Sequence, residues 1–353
     1  MKALSRQALL DIVAAASMLD ERLNTGLLVD DARTTDEMVH ARLETWCQTV
    51  ARGDWELFRQ RLNRDGLNEK SVRSMLSLVK IPEDAPLPAW TETLREMVDI
   101  AAVMRVGEAG MHRDGVPPIP FLDTKEPFPF EEILVPFVLL AQNRCTVKES
   151  NASDLLSEWA HAALFRGLLR TLTSYASQTL YLEFSIERTK AQSALHRLFA
   201  ELQTGDVEQT FYQQFVGRML QDGLVNFFRE YSVLARLLAT ITDLWVEATL
   251  EFLQRLAADW SDLQRAFGVH GDVDRVTNVE SSLSNPYRGR RRVMVLTFTS
   301  GFKLVYKPKD LGIEEAYYRL LNWCNAARMS IRWPGVLLRK KRLQRPSAPA
   351  LER

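Results

Sequence analysis

The sequence predicts a mainly α-helical protein, multi-helix in its N-terminal region, with a small α+β element near the C-terminus. Three observations carry that prediction. From residue 5 to about 106, and again over 131–142 and 153–267, apolar side chains recur three and four positions apart, the spacing of an amphipathic helix. Between 107 and 130, in GEAGMHRDGVPPIPFLDTKEPFPF, proline and glycine concentrate and interrupt that spacing. After Gly268 the texture changes to two runs rich in β-branched and aromatic residues, RRVMVLTF and FKLVYK, joined by Thr299, Ser300 and Gly301, which is a β-hairpin signal.

Taken in order, residues 1–106 form an N-terminal region of several amphipathic helices, with Leu9, Ile12, Val13, Ala16 and Leu19 showing the three- and four-residue spacing. Residues 107–130 are a connector, because proline lacks the amide hydrogen that a helix interior needs. Residues 131–268 form a helical core with apolar residues on more than one face. Its aromatic residues Phe227, Phe228, Tyr231, Trp245, Phe252 and Trp260 stand at helical spacing and are expected in the core. Residues 269–328 hold a loop up to the first strand, the hairpin, and a helix over Ile313–Ala326. Glu314 and Glu315 fall in that helix's first turn, where the dipole favours acids. Residues 329–353 lose periodicity and gather Arg339, Lys340, Lys341, Arg342 and Arg345 beside prolines, which predicts a basic disordered tail.

Composition excludes several classes. Of 353 residues, 45 are Lys or Arg and 45 are Asp or Glu, so the chain lacks the net positive field of many nucleic-acid binders. Cys47, Cys145 and Cys324 lie too far apart for a zinc motif and are odd in number, which points to a reducing, cytoplasmic setting rather than a disulfide framework. The longest apolar run, Ile133–Ala141, is too short to span a bilayer and contains Pro136, so no membrane insertion is expected. His40, His112, His161, His196 and His270 show no metal-ligand spacing, and no metal site is predicted.

Lys307, at the end of the second hairpin strand, is the sharpest chemical hint. A strand lysine beside a helix that carries Glu314 and Glu315 is how kinases hold nucleotide phosphates, the ammonium on the phosphate oxygens and a glutamate orienting it. Arg288, Arg290, Arg291 and Arg292 around Gly289 form a second candidate, a phosphate or nucleic-acid contact, since guanidinium binds phosphate through two donors. The alternatives are a solvated strand-end lysine and a solvated basic loop. No GxSxG, GxxxxGK[ST] or GxGxxG pattern occurs.

The segment NPYRGRRRVMVLTFTSGFKLVYKPKDLGIEEAYYRLLNWCNA, residues 285–326, resembles the dehydratase domain of LanM-type (class II) lanthipeptide synthetases, and GFKLVYKPKDL carries most of that likeness. Residues 128–141, 172–188 and 227–268 resemble the same family's helical framework in the same order. The resemblance implies that the hairpin and helix begin a lipid-kinase-like N-lobe. It also implies an activity, lantibiotic biosynthesis: the complete enzyme uses ATP and Mg2+ to phosphorylate serine and threonine of a ribosomal precursor peptide, then eliminates phosphate to give dehydroamino acids. By position it makes Lys307 the ATP-phosphate lysine. Glu314 and Glu315 remain candidate partners of that lysine and Arg291 a candidate phosphate contact on their residue chemistry alone, since the family commonly has small residues where Arg290, Arg291 and Arg292 stand.

The chain departs from the family where chemistry is expected. Asn285, Pro286 and Tyr287 stand where an Asp-Pro-His-like element is usual, and the family's Asp-x-His-x-x-Asn loop does not occur between Lys307 and Arg353. The expectation is therefore an N-terminal part of such an enzyme, truncated and inactive alone, with no catalytic residue of its own. The competing expectation is a non-catalytic helical module that binds a precursor leader peptide or a partner subunit.

Overall fold

In a computed structural model of the chain, residues 4–24, 28–107, 110–113, 119–148, 153–191, 206–267, 275–281, 289–310 and 312–326 are described. The chain divides into two compact units, Met1–Val305 and Tyr306–Arg353.

Short polar side chains start the first helices. Ser5 accepts the amide of Ala8 to cap α1 (Arg6–Ala15), and α2 (Leu19–Asn24) follows with Asp20 and Glu21 in its first turn. Strand β1 (Leu28–Val29) precedes α3 (Asp36–Ala51), which Thr35 caps. Asp54 and Asn68 cap α4 (Trp55–Arg64) and α5 (Glu69–Leu76) in the same way. Strand β2 (Val79–Lys80) pairs antiparallel with β1. Helices α3 to α5 enclose two small clusters of their own, one around Val39, Val72 and Leu76 and one around Cys47, Ala51 and Phe58.

Helix α6 (Trp90–Ala102) leads into a hairpin of β3 (Met104–Gly107) and β4 (Gly110–Arg113), and then α7 (Glu131–Lys148) begins. The Glu131 carboxylate reaches back to the Phe128 amide at 2.9 Å, one half of a capping box, and burial raises the Glu131 pKa. Helix α8 (Glu158–Ala191) is followed by α9 (Asp206–Arg218), a π turn at Met219–Gly223, α10 (Leu224–Glu230) and α11 (Ser232–Phe267).

One continuous core joins α1, α6, α7, α8 and α11. Leu94, Met97, Val135, Phe137, Leu168, Leu172 and Leu238 in it are fully buried. The proline-rich stretch therefore does not separate two cores. Phe121 and Phe130 from that stretch point into the shared one, where Phe121 lies 6.1 Å from Phe165 and Phe130 lies 5.9 Å from Phe215 between ring centres. Phe227, Phe228 and Phe252 are buried as predicted, and Tyr231, Trp245 and Trp260 are partly so.

A three-stranded sheet in the order β5 (Val276–Glu280), β6 (Met294–Phe298), β7 (Lys303–Tyr306) follows α11. The hairpin of β6 and β7 stands where expected. Strand β5 corrects the reading of everything before RRVMVLTF as loop. VTNVE is short and mostly polar, so its alternation is weak. It becomes a strand because β6 offers an edge, with Val279 opposite Leu296. Met294, Leu296 and Phe298 alternate inward, and Phe298 meets Trp260 of α11 at 5.9 Å between ring centres. The second unit contains α12 (Gly312–Ala326). The fold is thus mainly helical with small antiparallel sheets. The basic tail of 329–353, together with Asn285, Tyr287, Arg288, His196 and His270, lies outside the described residues.

Candidate functional site

Lys307 is exposed and directly follows β7, at the position the hairpin pattern predicts. Pro308 denies the next position an amide donor, so the strand ends there. Asp310 then turns the chain into α12: its carboxylate accepts the amide of Gly312 at 2.9 Å, the local side-chain bond that aspartate makes at helix entries.

Glu314 does not take Lys307 as its partner. Its Oε1 accepts from Nζ of Lys309 at 2.6 Å, and that bond, ahead of the Glu314 backbone amide, holds the carboxyl below the usual carboxylate range. Lys307 adds a smaller through-space pull in the same direction. The head of α12 is therefore a small basic-acidic cluster in which Lys309 is engaged and the Lys307 ammonium stands in solvent. Glu315 shares the first turn with Glu314. Lys309 went unrecognised in the sequence, although its spacing of two from Lys307 was a usable signal.

Arg291 sits in the other unit and is tied down. Its Nε donates to Glu251 Oε2 of α11 at 2.6 Å, a second guanidinium nitrogen contacts the same carboxylate, and Arg255 reaches Glu251 as well. To reach Glu251 the Arg291 side chain crosses Gly289: a Cβ there would lie 2.6 Å from an Arg291 guanidinium nitrogen. This arginine anchors the turn before β6 to α11. No local pattern in the sequence points to Glu251, which lies 40 residues upstream.

These residues suit the cofactors implied by the resemblance unequally. An exposed lysine at a strand end has the right chemistry for phosphate oxygens. Among the described residues no group of three His, Cys, Asp or Glu side chains gathers closely enough to hold a metal ion. No helix among the described residues is long and apolar enough to cross a membrane.

No curated protein matches the chain. Residues 231–341, which take in α11, the three strands, Lys307 and α12, match the family described as a domain of unknown function, DUF4135.

Proposed function

We propose that this chain is the N-terminal part of a cytoplasmic lantibiotic-biosynthesis dehydratase of the LanM type. In complete form that enzyme phosphorylates serine and threonine of a ribosomal precursor peptide with ATP and then eliminates the phosphate. One observation carries the reading: in GFKLVYKPKDL, the segment with the family likeness, Lys307 is presented to solvent at the end of a hairpin strand and followed by a helix headed by acids. The family match over 231–341 covers that segment, and so is consistent with the reading.

ATP, when bound, supplies the phosphoryl group. Lys307 would hold its phosphate oxygens, while Lys309 keeps Glu314 occupied beside it. Phosphoryl transfer draws most of its rate from metal ions and a positioned base. This chain presents neither the Asp-x-His-x-x-Asn loop nor, among the described residues, a metal cluster. The proposed activity therefore belongs to the complete enzyme, and no dehydration is expected of this chain by itself.

An ATP-derived acyl phosphate probe on the full chain tests the lysine. Lys307 should be acylated ahead of the other lysines and protected by excess ATP, and labelling that ATP does not affect would count against the reading. Incubation with precursor peptide, ATP and magnesium should leave the peptide mass unchanged. Loss of a water mass would overturn the claim that the chain alone is inactive.

The second reading is a non-catalytic helical module for a leader peptide or partner subunit. It is favoured by the continuous core of α1, α6, α7, α8 and α11, which is built without the unit that carries Lys307. Titration of labelled precursor peptide decides it, and absence of saturable binding would remove it.

A further inference from the structure

Arg290 and Arg292, which flank the anchored Arg291, line a small cleft that opens to solvent within the unit Met1–Val305. Thr171 of α8, Trp245 and Thr249 of α11, and Ser281 after β5 stand in its wall beside the apolar Leu164, Ala248 and Met294. Gly167 of α8 makes room for one hydroxyl of that wall: a Cβ there would lie 2.9 Å from Ser281 Oγ.

The two arginines are held together at a cost. Arg292 is half-buried, and burial first, then the charge of Arg290, push its pKa down. Among the described residues neither guanidinium has a carboxylate at ion-pair distance, and Glu251 nearby is already shared by Arg255 and Arg291. Arg290 lies over the Tyr175 ring at 5.6 Å, which offsets only part of that cost. Its backbone is also in the left-handed region, φ 60°, directly after Gly289 at φ 67°. A branched-fork side chain there costs about 1 kcal/mol that glycine would not. Strain, burial and like-charge repulsion converge on two cations facing one cleft, which is the arrangement of an anion site.

We propose that the cleft between Arg290 and Arg292 binds a phosphate group, clasped by the two guanidinium forks with the Ser281 and Thr249 hydroxyls beside it. A tetrahedral dianion uses two forks where a carboxylate would fill only one. The Thr171 hydroxyl is committed to the Gly167 carbonyl at 2.9 Å and forms wall only. The cleft opens to solvent, so the phosphate can belong to a free ion, a phosphorylated side chain or a nucleotide. This inference does not depend on the role given to Lys307.

Isothermal titration of the full chain with sodium phosphate at constant ionic strength tests it. Saturable binding is expected, weakened about tenfold or more by both Arg290→Gly and Arg292→Gln. Arg290→Gly suits the backbone at φ 60° and so separates loss of binding from loss of fold. A phosphoserine peptide and ADP as competitors then assign the source. The one that displaces phosphate with higher affinity carries the group, and displacement by neither assigns the cleft to free phosphate. No binding of inorganic phosphate, or equal affinity in the native chain and both variants, overturns the proposal.

Discussion

Arg236 of α11 grips Glu21 of α2 with both arms of its guanidinium, at 2.6 and 2.7 Å, and one of those arms also reaches the Ala16 carbonyl at 3.0 Å. The pair ties the N-terminal helices to α11. The hydrogen bond from Arg236 is the main reason the Glu21 pKa lies below its ordinary value. A depressed folded-state pKa contributes stability that is complete above the unfolded carboxylate value, about 4, and is lost as pH falls through the folded one. Glu21→Gln should cost about 1.5 kcal/mol at neutral pH and flatten the acid limb of the stability curve, as read by urea midpoints across pH.

Arg144 of α7 forms a second node. It donates to Asp243 of α11 at 2.7 Å, to the Thr93 hydroxyl of α6 at 2.8 Å and to Glu96 at 3.2 Å, while Thr93 itself donates to Asp243 at 2.6 Å. Removing one partner leaves the others partly buried and each short of a hydrogen bond. Asp243→Ala should cost about 2 kcal/mol, and a double-mutant cycle with Arg144→Ala should return a coupling of about 1 kcal/mol in denaturant melts.

Gly289 and Arg290 should respond oppositely to substitution. Gly289→Ala meets both a positive φ and the crossing Arg291 side chain, and should destabilise by about 1–2 kcal/mol. Arg290→Gly relieves a strained angle and should leave the thermal midpoint unchanged or raised.

Phe298, 2% exposed, is wedged between Trp260 of α11 and Phe302. Phe298→Ala opens a cavity under the sheet and should cost about 3 kcal/mol. The loss should appear as a lower urea midpoint with an unchanged slope.

The helices were legible where they bury apolar residues at helical spacing. Leu9, Ile12 and Val13 repeat at the helical spacing and are buried in α1, and Ala16 is buried just past its end, whereas Leu19 of the same series opens α2 and is exposed. The hairpin was legible because Met294, Leu296 and Phe298 alternate inward. Strand β5 was not, since VTNVE takes its partner from residues that follow it by many positions, and pairing across such a gap leaves no local trace. The candidate site divides the same way. Lys307 could be read from strand and helix order, whereas the Glu314–Lys309 pair and the Glu251 anchor depend on side-chain reach after folding. Of the arginine run, the residue singled out is the one turned away from the cleft, and its neighbours face it.

Helix α11 begins at Ser232, one residue after the family match starts, yet its first half belongs to the core completed by α1, α6, α7 and α8. Ala235, Leu238, Ala239, Ile241 and Val246 are all in that core. A gene cut at residue 231 would therefore produce a polypeptide with a wet apolar stripe several turns long, prone to clump or to seek a substitute neighbour. The sequence family and the unit that folds have different edges here, and any truncation meant to isolate Lys307 or the arginine cleft has to keep the helices from residue 4 onward.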